Sequence, residues 1–163
     1  TCQGFNITKM TTIKITTHYF APIETVFNTN RDIDIHQQSA SKTKEVAIAG
    51  ITSGLINKNE TVTWKGKHFG FFITHQSLIS EMIFPTYFVD KQLKGQFKNF
   101  KHQHFFEQKE NYVEVKDFLE YETPFGIFGQ LFDKIFLKKY LTNFIIQRNA
   151  ILKDLAEKQT CQL

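Results

Sequence analysis

The sequence predicts an α+β protein in which an antiparallel sheet of about seven strands curves around a long C-terminal helix. Three observations lead to this fold class. Strand-like segments follow one another between residues 60 and 122, two short helical patterns follow the first strand, and residues 130–158 contain neither proline nor glycine. The chain of 163 residues is long enough for one domain that buries roughly 70% of its unfolded surface.

The first part of the chain alternates strands with two short helices. Residues 11–20 are rich in Thr, Ile and aromatic residues, which predicts a strand. Pro22 is typical of the first turn of a helix, and residues 33–38 form a second helical pattern after Asp32. Residues 45–57 have strand-like composition, but two glycines interrupt them and indicate bulges or sharp curvature.

Five further strands are predicted before the proline at position 124. They cover residues 60–70, 71–84, 87–94, 97–107 and 112–122. Because the connections between them are short, neighbouring strands are expected to pair antiparallel, as a meander.

A long helix is predicted after Gly126 and Gly129, which are expected to form a tight turn that lets the helix approach the sheet. An apolar stripe with helical spacing runs along it: Leu137, Leu141, Phe144, Ile145, Ile151, Leu152 and Leu155. A helix of about 29 residues would be roughly 43 Å long. Only the sheet offers a surface large enough to bury its apolar stripe.

Charge and cysteine content narrow the class of protein. The net charge is +4, but acidic residues are interspersed with the basic ones, which argues against a nucleic-acid-binding arm. Cys2 and Cys161 lie in the two tails and predict neither a disulfide nor a metal site. No apolar run of about 18 residues and no signal-peptide pattern occurs, so we expect a cytoplasmic protein without a transmembrane segment. We assign residues 1–9 to an N-terminal extension, 10–158 to a single domain and 159–163 to a C-terminal tail.

Several sequence runs, together with the order of the elements, carry a resemblance to a known superfamily. The runs are SASKTKE (39–45), AGITSGLI (49–56), ETVTWKGKHFG (60–70), YFVDKQLKGQFKNFKHQHFF (87–106) and LEYETPFGIFG (119–129). They resemble the SRPBCC superfamily of START and birch-pollen-allergen-like proteins, and within it a bacterial branch described as ligand-binding or polyketide cyclase-like. The resemblance implies the helix-grip fold, in which a curved sheet grips the long helix and encloses an apolar cavity. It leaves the function open, because the superfamily also contains lipid carriers and hormone receptors.

The aromatic content agrees with such a cavity. Aromatic residues make up 15% of the chain, with 18 Phe against 1 Trp. This is more aromatic surface than a compact core of this size needs. Either the core is unusually rich in Phe, or flat apolar side chains line a cavity or an interface.

The hairpin formed by the last two strands predicts polar groups on the concave face. A two-residue turn at Lys109 and Glu110 would set the pairing of the strands. The expected pairs are Phe106 with Val113, His104 with Val115, His102 with Asp117, Phe100 with Leu119 and Lys98 with Tyr121. The opposite face is charged, so alternation places this set toward the helix. We therefore predict a hydrogen bond between His102 and Asp117, which could serve structure, position a ligand or act in acid–base catalysis.

The other histidines give weaker signals. His102 and His104 share a strand face and could bind zinc if a third ligand such as His68 converged with them. The sequence does not fix that distance, and we predict neither a metal nor another cofactor. His36 ends a short helix, where a surface or capping role is expected, and His18 and His75 lie in predicted strands.

The predicted function is the binding of a small hydrophobic or amphipathic molecule between the sheet and the C-terminal helix. The predicted ligand-binding residues are Trp64, His68, Phe100, His102, His104, Asp117, Leu119, Tyr121, Phe132, Phe136 and Tyr140. One alternative is a cyclase- or dehydratase-like enzyme that uses the His/Asp pair on a carbonyl-containing substrate, and a free His102 nitrogen facing the cavity would favour it. The other is an interaction protein with an incidental cavity, which a large exposed apolar patch would favour. No nucleic-acid partner is expected, and the oligomeric state is left open.

Overall fold

The structure is a computed structural model that describes residues 10–161. Within this range it contains seven strands, two short helices after the first strand and a long C-terminal helical region. The strands are β1 (Thr11–Tyr19), β2 (Val46–Gly50), β3 (Thr61–His68), β4 (Phe71–Ile83), β5 (Tyr87–Lys94), β6 (Asn99–Gln108) and β7 (Val113–Glu122). The helices are α1 (Ile23–Arg31), α2 (Ile33–Ser39), α3 (Gly126–Phe132) and α4 (Lys138–Thr160). The predicted N-terminal extension and the last two residues of the predicted tail lie outside the described residues.

All the strands described belong to one antiparallel sheet. Its order is β1-β7-β6-β5-β4-β3-β2, so β2 to β7 form a meander in which each strand pairs with the next. β1 pairs with β7, from Thr11 opposite Tyr121 to Tyr19 opposite Val113. The predicted α+β class, a curved antiparallel sheet around a long C-terminal helix, is confirmed.

α1 and α2 connect β1 to β2 and contact α4. The Asp32 side chain accepts hydrogen bonds from the backbone N–H groups of Asp34 (2.9 Å) and Ile35 (3.1 Å), so it caps the N-terminus of α2. α1 begins directly after Pro22 and buries Val26 and Phe27 completely. Both short helices therefore begin at the positions that Pro22 and Asp32 predicted.

The C-terminal helical region is longer than predicted. It runs without a break through α3, a π-helical turn (Asp133–Leu137) and α4, a total of 35 residues. It starts at Gly126, whose φ of +54° makes the turn after the sheet. Gly129 lies inside α3 and is buried, and a Cβ atom there would lie 1.8 Å from the Pro124 carbonyl oxygen. No helix in the described range is long and apolar enough to span a bilayer.

Two strand boundaries differ from the predictions. β2 ends at Gly50 rather than near residue 57, because Gly50 has a φ of +76° and a Cβ there would clash with a backbone oxygen of β3. The pairing of β2 with β3 shifts between Ala47 and Ala49, which is a bulge of the kind that the glycines indicated. Lys98 precedes β6 and is exposed, so its predicted place on the concave face is wrong.

Two apolar clusters form between the concave face and the helices. The first is centred on Tyr19, Val26, Phe27, Trp64, Phe88, Phe106 and Leu152. The second contains Ile13, Leu119, Tyr121, Leu137 and Ile145. Leu119, Leu137 and Ile145 of the second cluster also border a cavity between the sheet and the C-terminal helix.

Candidate functional site

The β6–β7 hairpin brings His102, His104 and Asp117 together on the concave face, but in a different register from the predicted one. His104 pairs with Asp117, and His102 pairs with Leu119. The backbone N–H of Lys109 donates to the Tyr112 carbonyl oxygen at 2.8 Å, so the turn lies one residue later than predicted. Moving the turn by one residue shifts the pairing by two, which preserves the face that each side chain occupies. The predicted pairs are therefore wrong, whereas the inward orientation of these three residues is confirmed.

The Asp117 carboxylate is the centre of a buried hydrogen-bonded network. His102 Nε2 lies 3.0 Å from Asp117 Oδ1, so the predicted contact forms diagonally across the two strands. The Asn149 side-chain amide of α4 donates to Oδ2 at 2.6 Å and to Thr17 Oγ1 at 3.1 Å. His104 Nδ1 also lies 2.8 Å from Oδ1, but out of line for a hydrogen bond, so this contact is mainly electrostatic. The network joins β1, β6, β7 and α4.

Burial and mutual contacts set the charges in this network. Burial alone would raise the pKa of the Asp117 carboxyl, but the contacts with His102 and His104 outweigh it and hold the pKa well below its usual value. Burial, assisted by the nearby His102, lowers the pKa of His104 to about 3. Asp117 is therefore ionised and His104 is neutral at neutral pH. An ionised carboxylate only accepts hydrogen bonds, so His102 Nε2 must carry the proton that is donated to Asp117.

This proton assignment leaves His102 Nδ1 with a lone pair when the ring is neutral. His102 lines the cavity, and its Nδ1 has no hydrogen-bond partner within residues 10–161. This is the free nitrogen that would favour an enzyme among the predicted alternatives.

The same three residues are the candidate metal ligands of the described chain. One ligand atom each from His102, His104 and Asp117 lies within 4.8 Å of the other two. All three side chains are buried, and the carboxylate oxygens already accept from His102 and Asn149. His68, the predicted third ligand, instead contacts Glu45 and Tyr140. The group therefore has the donor atoms for a metal, and in this structure the carboxylate oxygens accept hydrogen bonds within the network.

A cavity of about 340 Å³ lies between the concave face, α3 and α4. Its size falls within the range of small-molecule sites. Much of its wall is aromatic or aliphatic: Trp64, Phe69, Ile73, Phe97, Phe100, Leu119, Phe125, Phe132, Leu137, Tyr140, Leu141, Phe144 and Ile145. Polar side chains also line it: His36, Glu45, His68, His75, Asp90, Gln92, Gln96, His102, Thr123 and Arg148.

Seven of the predicted ligand-binding residues line this cavity. They are Trp64, His68, Phe100, His102, Leu119, Phe132 and Tyr140. His104 and Asp117 do not line it, because they form the buried network behind His102. Tyr121 does not line it either, since its hydroxyl donates to Asp133 of the π-helical turn. Phe136 packs on Phe69 and is partly exposed.

A second polar network, which no pattern in the sequence predicted, surrounds Glu45. His36 Nε2 lies 2.8 Å from one carboxylate oxygen and His68 Nε2 lies 3.3 Å from the other. Tyr140 Oη is 2.9 Å from His68 Nδ1. Burial opposes ionisation of Glu45, yet the hydrogen bonds from the two histidines hold its pKa well below the usual value. The surface or capping role predicted for His36 is therefore wrong, since its ring stacks on Trp64 and faces the cavity.

Three further charged or titratable residues of the cavity were also missed. Arg148 on α4 is 6% exposed, and its Nε has no hydrogen-bond partner in the described chain. Asp90 on β5 has one oxygen without a partner within the same residues, and it lies opposite His102. Burial lowers the pKa of His75, although Glu45 and Asp90 oppose this shift. The sequence did contain an indication that Arg148 is buried, because this residue lies within the apolar stripe of the helix, between Ile145 and Leu152.

An exposed apolar surface adjoins the cavity on the C-terminal helical region. This surface, the α3 face, consists of Phe125, Ile127, Phe128, Leu131, Phe132, Ile135 and Phe136, which are all exposed. Phe125 and Phe132 belong both to this face and to the cavity wall. A patch of this kind is the observation that favours an interaction protein among the predicted alternatives.

No protein-family sequence model and no curated protein sequence matches the chain. Solved structures do match it. TTHA0849 from Thermus thermophilus aligns with a TM-score of 0.72 at 14% identity, over 92% of this chain and 99% of that one. Major latex-like protein 151 from Panax ginseng gives a TM-score of 0.66 at 12% identity, over 90% of this chain and 97% of that one. The di-domain ARO/CYC StfQ of the steffimycin biosynthetic pathway gives 0.73 at 11% identity, over 92% of this chain and 52% of that one.

These alignments confirm the predicted resemblance at the level of the fold: the chain has the helix-grip fold, with a curved antiparallel sheet around a long C-terminal helix. At such low identities the shared feature is the architecture of sheet and helix, and ligand and activity have to be argued from the cavity of this chain.

Proposed function

We propose that this protein binds a small hydrophobic or amphipathic molecule in the cavity between the sheet and the C-terminal helix. The cavity itself carries the proposal. It has a volume of about 340 Å³, and its aromatic and aliphatic walls are interspersed with ten polar side chains. An apolar pocket with convergent polar groups is the usual composition of a ligand site.

A neutral fluorescent probe tests whether the cavity accepts apolar molecules. N-phenyl-1-naphthylamine should gain fluorescence on binding to the wild-type protein. Leu141→Trp places extra volume in the cavity wall and should abolish this gain, because overpacking fills the space that the probe needs. Ile146→Trp is the matched control, since Ile146 lies on the exposed side of the same helix. Equal binding of the probe to both variants would contradict the proposal, provided that circular dichroism shows both to be folded.

The natural ligand requires a separate experiment. Native mass spectrometry of protein purified from its own host should show an added mass, which extraction and fragmentation would identify. The same mass should be lost from Leu141→Trp and kept in Ile146→Trp.

A second candidate function is cyclase- or dehydratase-like catalysis on a carbonyl-containing substrate. The unpaired Nδ1 of His102 favours it, because Asp117 orients the ring from behind and leaves this nitrogen to exchange a proton with a bound molecule. His102→Phe separates the two candidates. A binding protein should retain the host-derived molecule unchanged in this variant, whereas an enzyme should accumulate a precursor of different mass.

A further inference from the structure

Arg148 is an unpartnered charge in the cavity wall. It is 6% exposed, it lines the cavity, and Nε forms no hydrogen bond with residues 10–161. None of the ion pairs within these residues includes it. Its neighbours one turn away on α4 are apolar, with Phe144 and Ile145 before it and Leu152 after it.

An arginine in this position is costly for the folded protein. The guanidinium keeps its charge at any physiological pH, and burial of an unpaired charge is unfavourable. The four other buried charged residues of the described range already have partners. Glu45 contacts two histidines, Asp117 contacts His102 and Asn149, Glu122 pairs with Lys98, and Asp133 accepts from Tyr121 and Thr11. Arg148 is therefore a positive charge of the cavity wall that has no partner among the described residues and is available to a bound molecule.

We infer that the ligand is an amphipathic carboxylic acid whose carboxylate binds to Arg148 while its apolar part occupies the aromatic cavity. The planar guanidinium can bind a carboxylate through two parallel hydrogen bonds, which gives orientation as well as affinity. Asp90, the other residue of the cavity wall with a buried atom that lacks a partner, forms no ion pair with Arg148 within residues 10–161. This inference rests on the proposed function, because it specifies the class of molecule that the same cavity binds.

A pair of probes with the same alkyl chain isolates the contribution of the head group. Decanoate and decan-1-ol should each displace N-phenyl-1-naphthylamine at neutral pH, with decanoate at least about tenfold tighter in the wild-type protein, which corresponds to about 1.4 kcal/mol. Arg148→Met should reduce this preference to within about twofold and leave the affinity for decanol unchanged, because only the charged contact is lost. Arg148→Lys should keep part of the preference. Lys139→Met is the matched control, because it removes an exposed charge from the same helix. This variant should bind both probes like the wild-type protein.

The outcomes separate this inference from the proposed function. If decanol and decanoate bind the wild-type protein equally well, the inference is wrong and the binding function stands. If Arg148→Met weakens both probes to the same extent, Arg148 supports the structure of the cavity and the inference is again wrong. If neither probe nor the dye binds the wild-type protein, the proposed function itself fails. Should Arg148→Met not fold, the wild-type preference and the Arg148→Lys variant still distinguish these outcomes.

Discussion

Removal of the Asp117 carboxylate is the sharpest test of the buried network. In Asp117→Ala, the His102 Nε2 proton and the Asn149 side-chain amide both lose their acceptor. Thr17 is a second acceptor for Asn149, at 3.1 Å, whereas His102 has no other partner for Nε2 among the described residues. The alanine also leaves a small void at a position that is only 2% exposed.

The expected loss of stability follows from these contacts. A hydrogen bond to a charged group contributes about 1.5–3 kcal/mol, and an unsatisfied buried donor costs about 1–3 kcal/mol. Two such contacts meet at Asp117, and the second retains a partner. We therefore expect Asp117→Ala to lower the free energy of unfolding by about 3–5 kcal/mol. For a chain of this length this corresponds to a drop of roughly 6–20 °C in the melting temperature.

Urea unfolding followed by circular dichroism at neutral pH measures this loss. Glu120→Ala is the matched control, because it removes a carboxylate of the same strand from the opposite face. Its effect should stay within about 0.5 kcal/mol. A loss below about 1 kcal/mol for Asp117→Ala would refute the reasoning, since it would mean that the network is not formed or that water replaces the carboxylate without cost.

Three further predictions concern other parts of the molecule. Acidification from about pH 7 to about pH 5 should lower the free energy of unfolding by about 2 kcal/mol. In this window His104 becomes protonated in the unfolded chain, while burial keeps its pKa in the folded protein near 3. If the free energy of unfolding of His104→Phe falls with pH as much as that of the wild-type protein, His104 is not the cause. Arg148→Met should raise the melting temperature of the ligand-free protein by about 2–4 °C, since it removes an unpaired buried charge; differential scanning calorimetry should detect the rise, and a decrease would show that Arg148 stabilises the fold. Phe128→Glu should change stability by less than about 0.5 kcal/mol because the side chain is 78% exposed; a larger loss in urea unfolding would show that the α3 face is packed.

The fold could be predicted because its local signals agree with its tertiary structure. Period-two alternation and short connections define the meander, and Pro22 and Asp32 mark the starts of the two short helices. The hairpin register could not be fixed in the same way. A two-residue turn at Lys109 and Glu110 or one residue later gives the same inward face, so the alternation pattern cannot distinguish the two pairings.

Most of the polar cavity wall was not predicted, for a different reason: of its ten polar residues, only His68 and His102 were among the predicted ligand-binding residues. His36 lies in α2, Glu45 directly before β2 and His68 at the end of β3, and no local pattern indicates that these three positions converge. Arg148 interrupts an apolar helical stripe, which is a local signal, but its interpretation depends on whether a carboxylate of the sheet faces it. The sequence contains enough acidic residues to satisfy one arginine, but in the structure Glu45 has other partners and Asp90 forms no ion pair with Arg148 in the described range.

The two kinds of polar group in the interior point to different roles. Asp117 and Glu45 are surrounded by donors from several elements, so their charges are balanced within the chain and hold the sheet, α2 and α4 in place. Arg148 Nε and one oxygen of Asp90 are buried with no partner in the described range, yet both residues line the cavity. A protein that needed these two charges only for stability would gain more by pairing them with each other or by replacing them with apolar residues. The lack of an ion pair between them agrees with the inferred ligand, whose anionic group would bind Arg148 while Asp90 accepts a hydrogen bond from a donor of the same molecule.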